Sequence, residues 1–366
     1  MPFRDITGHD RTFARLTRSI ASGSLPPALI FSGVAGIGKR RAALALAQTL
    51  NCPTPVHDVQ RAEPRSRGML SFDAHDGDSR GGPAPVSLAI DACGECASCR
   101  RIARRVHPDI IVIEPAEDTG NIRVEDVRAL NDRINYRPFE GRWRVVVIDV
   151  ADAMLDQAQN ALLKTLEEPP SSSVFTLITA RPDDLLPTVR SRCPRIRFAP
   201  LTIAEVAAIL EREHGVDPTG AQALAAVAGG SVGVALETAS ASLANARAAA
   251  ERLLAHLARP GDARSRLLAA GEIVGKSPKG SAAGERESLA THLRAVHALL
   301  RDVGVLSAGR EPAVANVDLK PALAGLVPAF DRGRLVRAFA AIDQALDALA
   351  RNASPKIVAD WVVLQI

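Results

Sequence analysis

The segment Gly33-Val34-Ala35-Gly36-Ile37-Gly38-Lys39-Arg40 decides the predicted fold of this 366-residue chain. It has the Walker A spacing, in which four residues separate two glycines and lysine follows the second. The apolar run at 28–32 precedes the segment and an Ala/Leu-rich run at 40–50 follows it, which predicts a buried strand, a glycine-rich loop and a helix. Because such a loop wraps phosphates and its lysine reaches the terminal ones, the predicted nucleotide-binding residues are Gly33, Gly36, Gly38 and Lys39. The alternative is an accidental glycine-rich turn.

Apolar runs of strand length alternate with helical patterns up to residue 200. The predicted strands are 28–32, 110–114, 145–149, 174–179 and 195–198, and the predicted helices are 8–22, 40–50, 124–134 and 158–168. Asp10 is the predicted N-cap of the first helix, and Pro169-Pro170 ends the last one. This alternation is typical of an α/β fold with a parallel, doubly wound sheet.

The rest of the chain divides by composition. Residues 53–92 are rich in Pro, Gly, Ser, Asp and Arg, which predicts a flexible surface insertion. After Pro200 the strand patterns end, so a small helical domain is predicted at 201–243 and a larger all-helical one at 244–366. A Gly/Ser/Lys-rich loop at 275–285 is expected to interrupt the larger domain.

Overall composition excludes several classes of protein. Hydrophobic residues make up 47% and charged residues 23%, as in soluble globular proteins. We find no secretion signal and no apolar run of about 18 residues, so we expect a cytoplasmic protein without a membrane span. The pI near 9.0 fits a nucleic-acid-associated protein, although the net charge is only +4. Because aromatic residues make up 3%, contacts to nucleic acid are expected at phosphates or through partners, not by base stacking.

Two positions depart from the pattern of an ATP-hydrolysing P-loop protein. Arg40 stands where Ser or Thr offers a hydroxyl to Mg²⁺, and arginine has no acceptor for a cation. Asp149, at the end of an apolar run, is the candidate Walker B acid, but Val150 follows it where a glutamate normally positions water. Asp152 is expected to point elsewhere. The sequence therefore predicts a chain without its own ATPase activity, and leaves ATP binding open.

A compact cysteine cluster predicts a metal site. Three cysteines have the C-x₂-C-x₂-C spacing, and Zn²⁺ prefers four tetrahedral thiolate or imidazole ligands. The predicted zinc ligands are Cys52, Cys93, Cys96 and Cys99, with His57 and His107 as weaker candidates for the fourth position. All-protein coordination leaves no open position, which makes the zinc structural. The alternative is three unpaired thiols in a loop.

Two later segments carry a family resemblance. Asn-Ala-Leu-Leu-Lys-Thr-Leu-Glu-Glu-Pro-Pro at 160–170 and the Ser-Arg-Cys motif at 191–193 resemble the clamp-loader branch of the AAA+ proteins. The cysteine set is similar to the zinc module of bacterial clamp-loader subunits, although that family spaces its first two cysteines more closely. The resemblance covers about residues 8–236. It implies an AAA+ P-loop core at 1–200 with a zinc module, a helical lid at 201–243 and a helical collar for oligomerisation at 244–366.

The resemblance also implies roles for single residues. Arg192 matches the family's arginine finger, which reaches a neighbouring subunit's ATP. Without the motif, a solvated surface arginine would be the better interpretation. Thr179 matches the sensor-1 position, and Gly233 stands where the sensor-2 arginine is expected. In this family, motor subunits of γ/τ type hydrolyse ATP, whereas another subunit loses several of these residues and keeps Ser-Arg-Cys. The sequence is similar to the second kind, and a motor subunit is the alternative.

The partners follow from the same resemblance. It implies γ/τ and δ subunits in a hetero-pentameric ring that belongs to the DNA polymerase III holoenzyme. The β sliding clamp and primer-template DNA are expected to be reached largely through the assembly. A stand-alone nucleic-acid-binding zinc protein is a third hypothesis, which the low aromatic content and the lack of a basic stripe disfavour.

Overall fold

A computed structural model describes residues 1–60, 87–116, 119–238, 242–259, 261–274, 282–311 and 314–366. It divides into two compact units, Met1–Leu201 and Thr202–Ile366, which are described separately. The assignment of a lid and a collar within the second unit stays a prediction.

The first unit is built on a parallel sheet. The strands of the unit are β1 (Ala28–Ser32), β2 (Val56–Gln60), β3 (Ser87–Asp91), β4 (Ile110–Ile113), β5 (Arg144–Ile148), β6 (Ser173–Thr179) and β7 (Arg195–Arg197). Five of them form one sheet in the order β4-β5-β6-β1-β7, and every pairing in it is parallel. The predicted α/β fold is confirmed, and each predicted strand lies within one residue of an observed one.

Burial on both faces explains why these strands could be predicted. The helices of this unit are α1 (Asp10–Ala21), α2 (Lys39–Asn51), α3 (Ala97–Ala103), α4 (Val124–Ile134), α5 (Asp156–Glu167) and α6 (Pro187–Arg190). Val145 and Val147 of β5 pack into one apolar cluster with Phe31, whereas Val146 and Ile148 pack into the other. A strand buried on both faces reads as an uninterrupted apolar run.

The start of α1 differs from its prediction. His9 is the N-cap, with a left-handed backbone (φ 58°), and Asp10 is the first helical residue. Asp10 as N-cap is therefore wrong by one position. Its carboxylate still lies in the first turn, where a negative charge interacts favourably with the helix dipole.

The predicted insertion at 53–92 has ordered ends. β2 and β3 pair antiparallel, with Val56 opposite Asp91 and Gln60 opposite Ser87. Residues 61–86 lie outside the described residues. The hairpin was not predicted because most of β2 is exposed and polar, so it lacks an apolar run.

The second unit is helical in its described part, as predicted. Its helices are α7 (Ile203–His214), α8 (Pro218–Val227), α9 (Val232–Thr238), α10 (Ser242–Leu257), α11 (Ala263–Ile273), α12 (Ala282–Ser307), α13 (Lys320–Leu326), α14 (Arg332–Ala350) and α15 (Pro355–Gln365). Of the loop predicted at 275–285, residues 275–281 lie outside the described residues and the remainder belongs to α12. None of the helices described is both long and apolar enough to cross a membrane.

Candidate functional site

The glycine-rich segment forms a loop between β1 and α2, at the edge of the sheet where the parallel strands end. Gly38 is the N-cap of α2 and has a φ of 100°, a conformation that favours glycine. A Cβ on Gly33 would lie 2.4 Å from the carbonyl oxygen of Phe198, so a side chain cannot fit there. The sequence therefore forms a P-loop geometry at the place that the Walker A spacing predicted.

The side chain of Lys39 folds back onto this loop. Its Nζ donates to the carbonyl oxygens of Gly33 at 2.6 Å and Val34 at 2.7 Å, and the residue is only 5% exposed. Burial lowers the pKa of Lys39 to about 8, although the nearby carboxylates of Asp149 and Asp152 act in the opposite direction. The ammonium group is thus held at the mouth of the loop, where a terminal phosphate would bind.

Arg40 makes direct contact with the candidate Walker B acid. Its Nη1 lies 3.2 Å from Oδ2 of Asp149, and the same nitrogen forms an ion pair with Glu114, which follows β4. The other oxygen of Asp149 accepts the backbone N–H of Val150 at 3.0 Å. Arg40 therefore places a guanidinium against the carboxylate that would otherwise face a metal ion.

Val150 stands where a water-positioning carboxylate is expected. It has a left-handed backbone with φ 51°, which is unfavourable for a β-branched residue, and its side chain is 44% exposed. An isopropyl group can neither orient nor deprotonate water. The residues present do not fit Mg²⁺, because Asp149 is already paired and arginine replaces the hydroxyl ligand.

The expectation that Asp152 points elsewhere is wrong. With Thr179 it lines the same cavity of about 380 Å³ as Lys39 and Arg40. The hydroxyl of Thr179 donates to Asp152 at 2.7 Å, and Nε of Arg181 donates to its second oxygen at 3.0 Å. Because these bonds hold both oxygens, Asp152 does not replace the missing glutamate.

The four predicted cysteines come together. Their sulfur atoms all lie within 4.8 Å of one another, close to the roughly 3.8 Å spacing of four thiolates around one tetrahedral zinc. Backbone N–H groups point at the sulfurs: Cys93 N–H donates to Cys52 Sγ at 3.3 Å, and Cys99 N–H donates to Cys96 Sγ at 3.4 Å. The cluster has the donor set for one structural metal ion.

Neither of the two alternative ligands belongs to this cluster. His57 lies exposed on β2, and buried His107 contacts Ser98 and Glu140. The fourth sulfur of the cluster belongs to Cys52, which directly follows the last residue of α2. Gln48 on the same helix donates to the carbonyl oxygen of Cys99 at 2.7 Å, which ties the cluster to the helix that begins at the P-loop.

Arg192 follows Ser191, the C-cap of the short helix α6, and its side chain is 34% exposed. The guanidinium forms an ion pair with Glu167 at the end of α5, and donates to the carbonyl oxygen of Thr188 at 2.8 Å. Cys193 packs in the core, where burial raises the pKa of its thiol to about 12. The Ser-Arg-Cys motif thus anchors its cysteine inside the unit and presents its arginine at the surface.

The structure shows one surface feature that sequence reasoning missed. Residues 135–143 join α4 to β5 and expose two aromatic side chains, Tyr136 at 75% and Phe139 at 84%. The loop is held from beneath by Asp109, which is fully buried and accepts the backbone N–H groups of residues 139–141 at 2.6–2.9 Å. Arg144 donates to the carbonyl oxygens of residues 133, 136 and 137 and pairs with Asp109 at 3.2 Å. An aromatic pair held outward in this way is a candidate interaction surface.

Comparison with known proteins gives a consistent set of relatives. Residues 86–202 match the family model described as "DNA polymerase III, delta subunit". The DNA polymerase III tau subunit of Escherichia coli (strain K12) is 32% identical over 248 residues, which are 66% of this chain and 33% of that protein. The delta' subunit of Pseudomonas aeruginosa is 37% identical over 166 residues, 45% of this chain and 41% of that protein. The chain thus spans about a third of the length of the tau subunits that it matches.

One solved structure aligns with most of this chain at low similarity. It is a DNA polymerase III gamma subunit-related protein from Thermotoga maritima, with 17% identity and a TM-score of 0.37 over 96% of this chain and 97% of that one.

Proposed function

We propose that this chain, which is similar to clamp-loader subunits of DNA polymerase III, acts as the delta' subunit of such a loader. In this role it joins γ/τ-type and δ-type subunits in a ring that places the β sliding clamp on primed DNA. It hydrolyses no ATP itself and supplies Arg192 to the ATP site of an adjacent motor subunit. The ion pair between Arg40 and Asp149 is the observation that carries this proposal.

The losses within the chain's own pocket support a non-hydrolysing subunit. Arg40 takes the place of the magnesium-binding hydroxyl and neutralises Asp149, while Val150 removes the water-positioning carboxylate. In the second unit, Gly233 on α9 offers no side chain at the sensor-2 position. Hydrolysis requires metal coordination and an oriented water, so these changes disable two separate steps.

The retained Ser-Arg-Cys motif supports a role toward a neighbour. Arg192 is partly exposed, and within the described part of the chain its polar contacts are with Glu167, Thr188 and Ser191. A planar, permanently charged guanidinium at a surface can neutralise the charge that develops on a γ-phosphate. We further propose that the four cysteines hold a structural Zn²⁺, which stabilises the end of α2 opposite the P-loop.

Reconstitution of the ring tests this role. The chain is assembled with a motor subunit and a δ-type subunit, and DNA-stimulated ATP turnover is compared for the wild type, Arg192→Ala and Arg190→Ala. Arg190 is the matched control, since it is the last residue of α6, lies close to Arg192 in the sequence and pairs with Asp183 at 2.6 Å. An arginine finger is worth about 10³–10⁵ in kcat, so Arg192→Ala should abolish the contribution of the one site that it completes. Equal turnover of both variants in intact rings would refute the finger.

A motor subunit of γ/τ type is the second candidate. The P-loop glycines and Lys39 are intact, and several of the relatives are tau or gamma subunits. Magnesium-dependent ATP turnover by the purified chain alone, abolished by Lys39→Ala, would favour this candidate.

A further inference from the structure

The two departures in the pocket compensate each other in charge. In a hydrolysing P-loop site, lysine and a divalent ion face the phosphates together with the Walker B aspartate and the catalytic glutamate. In this chain Arg40 stands at the position of the magnesium-binding hydroxyl, and Val150 stands at the position of the glutamate. The lost ion carried two positive charges and the lost glutamate one negative charge, so Arg40 restores the same formal balance beside Lys39 and Asp149.

The position of Arg40 matches this substitution. Its Nη1 reaches both Asp149, which directly follows β5, and Glu114, which directly follows β4. Its Nε is buried and has no hydrogen-bond partner among the described residues. A guanidinium carries five N–H donors, so Arg40 retains donors for a ligand after pairing with the two carboxylates. Arg40, Lys39 and Gly38 line one cavity of about 380 Å³.

Both oxygens of Asp149 already have a partner within the protein. One oxygen is paired with Arg40 at 3.2 Å, and the other accepts the N–H of Val150 at 3.0 Å. To bind Asp149, a magnesium ion would have to lose part of its hydration shell and displace the guanidinium of Arg40. That guanidinium is part of the chain and already pairs with Asp149. A phosphate, in contrast, would meet two fixed cations and the N-terminus of α2.

We propose that this cavity is a metal-free binding site for a nucleoside di- or triphosphate, in which Arg40 supplies the charge that Mg²⁺ supplies in hydrolysing P-loop proteins. The nucleotide is held and not split, since no water is positioned beside Val150. Its γ- or β-phosphate meets Lys39, whose Nζ is otherwise bound to the loop carbonyls. This inference concerns the chain's own pocket and is independent of the role of Arg192 toward a neighbour.

The test is equilibrium binding of fluorescent N-methylanthraniloyl-ADP to the full chain, in excess EDTA and in millimolar Mg²⁺. We expect the two dissociation constants of the wild type to agree within about two-fold, because no metal takes part. Arg40→Ser restores a hydroxyl and frees Asp149, so it should weaken binding in EDTA about ten-fold or more and make binding dependent on Mg²⁺. Arg40→Lys keeps one positive charge and should bind in EDTA better than Arg40→Ser.

Matched measurements separate this effect from misfolding. Arg11→Ser changes an exposed arginine of α1 and should bind like the wild type in both buffers. The far-UV circular dichroism and melting temperature of each variant confirm that it is folded. Tightening of wild-type binding ten-fold or more by Mg²⁺ would overturn the proposal, and so would absence of binding at millimolar nucleotide in both buffers. Either result leaves the ring assay of Arg192 unaffected, so the two proposals fail separately.

Discussion

The buried pair beneath the aromatic loop gives the sharpest prediction of stability. Asp109→Ala removes a carboxylate that accepts three backbone N–H groups, at 2.6 Å, 2.9 Å and 2.8 Å, and one guanidinium N–H of Arg144 at 3.2 Å. Both partners of the ion pair are buried, with side-chain exposures of 0% for Asp109 and 9% for Arg144. The substitution therefore leaves four donors without their acceptor.

The expected loss follows from these contacts. Removing one partner of a buried ion pair typically costs about 3–5 kcal/mol. Arg144 keeps its three backbone carbonyl acceptors, so its charge does not become fully unpaired. We therefore expect the lower end, about 3 kcal/mol of the free energy of unfolding, which is a large fraction of the 5–15 kcal/mol typical of a domain.

Tryptophan fluorescence can follow this loss in one unit alone. The chain has two tryptophans, Trp143 at the end of the loop in the first unit and Trp361 in the second. In a Trp361→Phe background, urea unfolding monitored by fluorescence reports on the first unit. Asp132→Ala on the exposed face of α4 is the control, and it should change stability by less than about 0.5 kcal/mol.

The pH dependence gives a second test of the same contact. Burial alone would raise the pKa of Asp109, but the three N–H donors and Arg144 outweigh it, so the pKa is lowered in the folded chain. A carboxyl with a lowered folded pKa contributes stability that is complete above its unfolded pKa of about 3.9 and is lost as the pH falls through the folded value. The difference between the wild type and Asp109→Ala should be constant from about pH 5 to 8 and shrink below about pH 4. A loss under about 1 kcal/mol at pH 7 would show that Asp109 does not hold the loop.

The remaining predictions concern the candidate sites. Glu167→Gln breaks the ion pair of Arg192, which joins two partly exposed side chains and contributes at most about 1 kcal/mol. The ATP turnover of the ring should therefore change less than about five-fold, far less than for Arg192→Ala. Cys96→Ser should lower the bound zinc measured by mass spectrometry, whereas Cys193→Ser, outside the cluster, should keep it. Val150→Glu alone should leave ATP turnover by the isolated chain undetectable in a phosphate-release assay, and detectable turnover would contradict the role given to Arg40.

Much of the first unit could be predicted because its strands are buried on both faces. All residues of β5 and β6 are buried, so their sequences are mostly apolar and β-branched, which predicts a strand without knowledge of its neighbours. The P-loop could be predicted for a related reason, since its chemistry lies in consecutive residues. The cysteine cluster could also be predicted, because three of its four cysteines have a spacing that is typical of a metal site.

The parts that escaped prediction depend on pairing between distant residues. The hairpin of β2 and β3 pairs residues that are distant in the sequence, such as Val56 and Asp91, and most of its first strand is exposed, so it shows no buried face. Asp109 contacts mostly backbone N–H groups, which leave no mark in the sequence. A single aspartate after Pro108 and a single arginine at the start of β5 gave no local signal of the pair that they form.

The contacts in the pocket predict that reversing one departure alone does not produce ATP hydrolysis. Arg40 was predicted only as a missing hydroxyl, whereas the structure makes it a cation on Asp149, 109 residues away in the sequence. While that pair persists, a glutamate introduced at Val150 would face a site without a metal ion and would add a negative charge that nothing balances. Conversely, Arg40→Ser alone would admit a metal ion but leave no group to orient water. On the proposed role of Arg40, the two departures act together, and we expect that reversing either one alone leaves a bound nucleotide unhydrolysed.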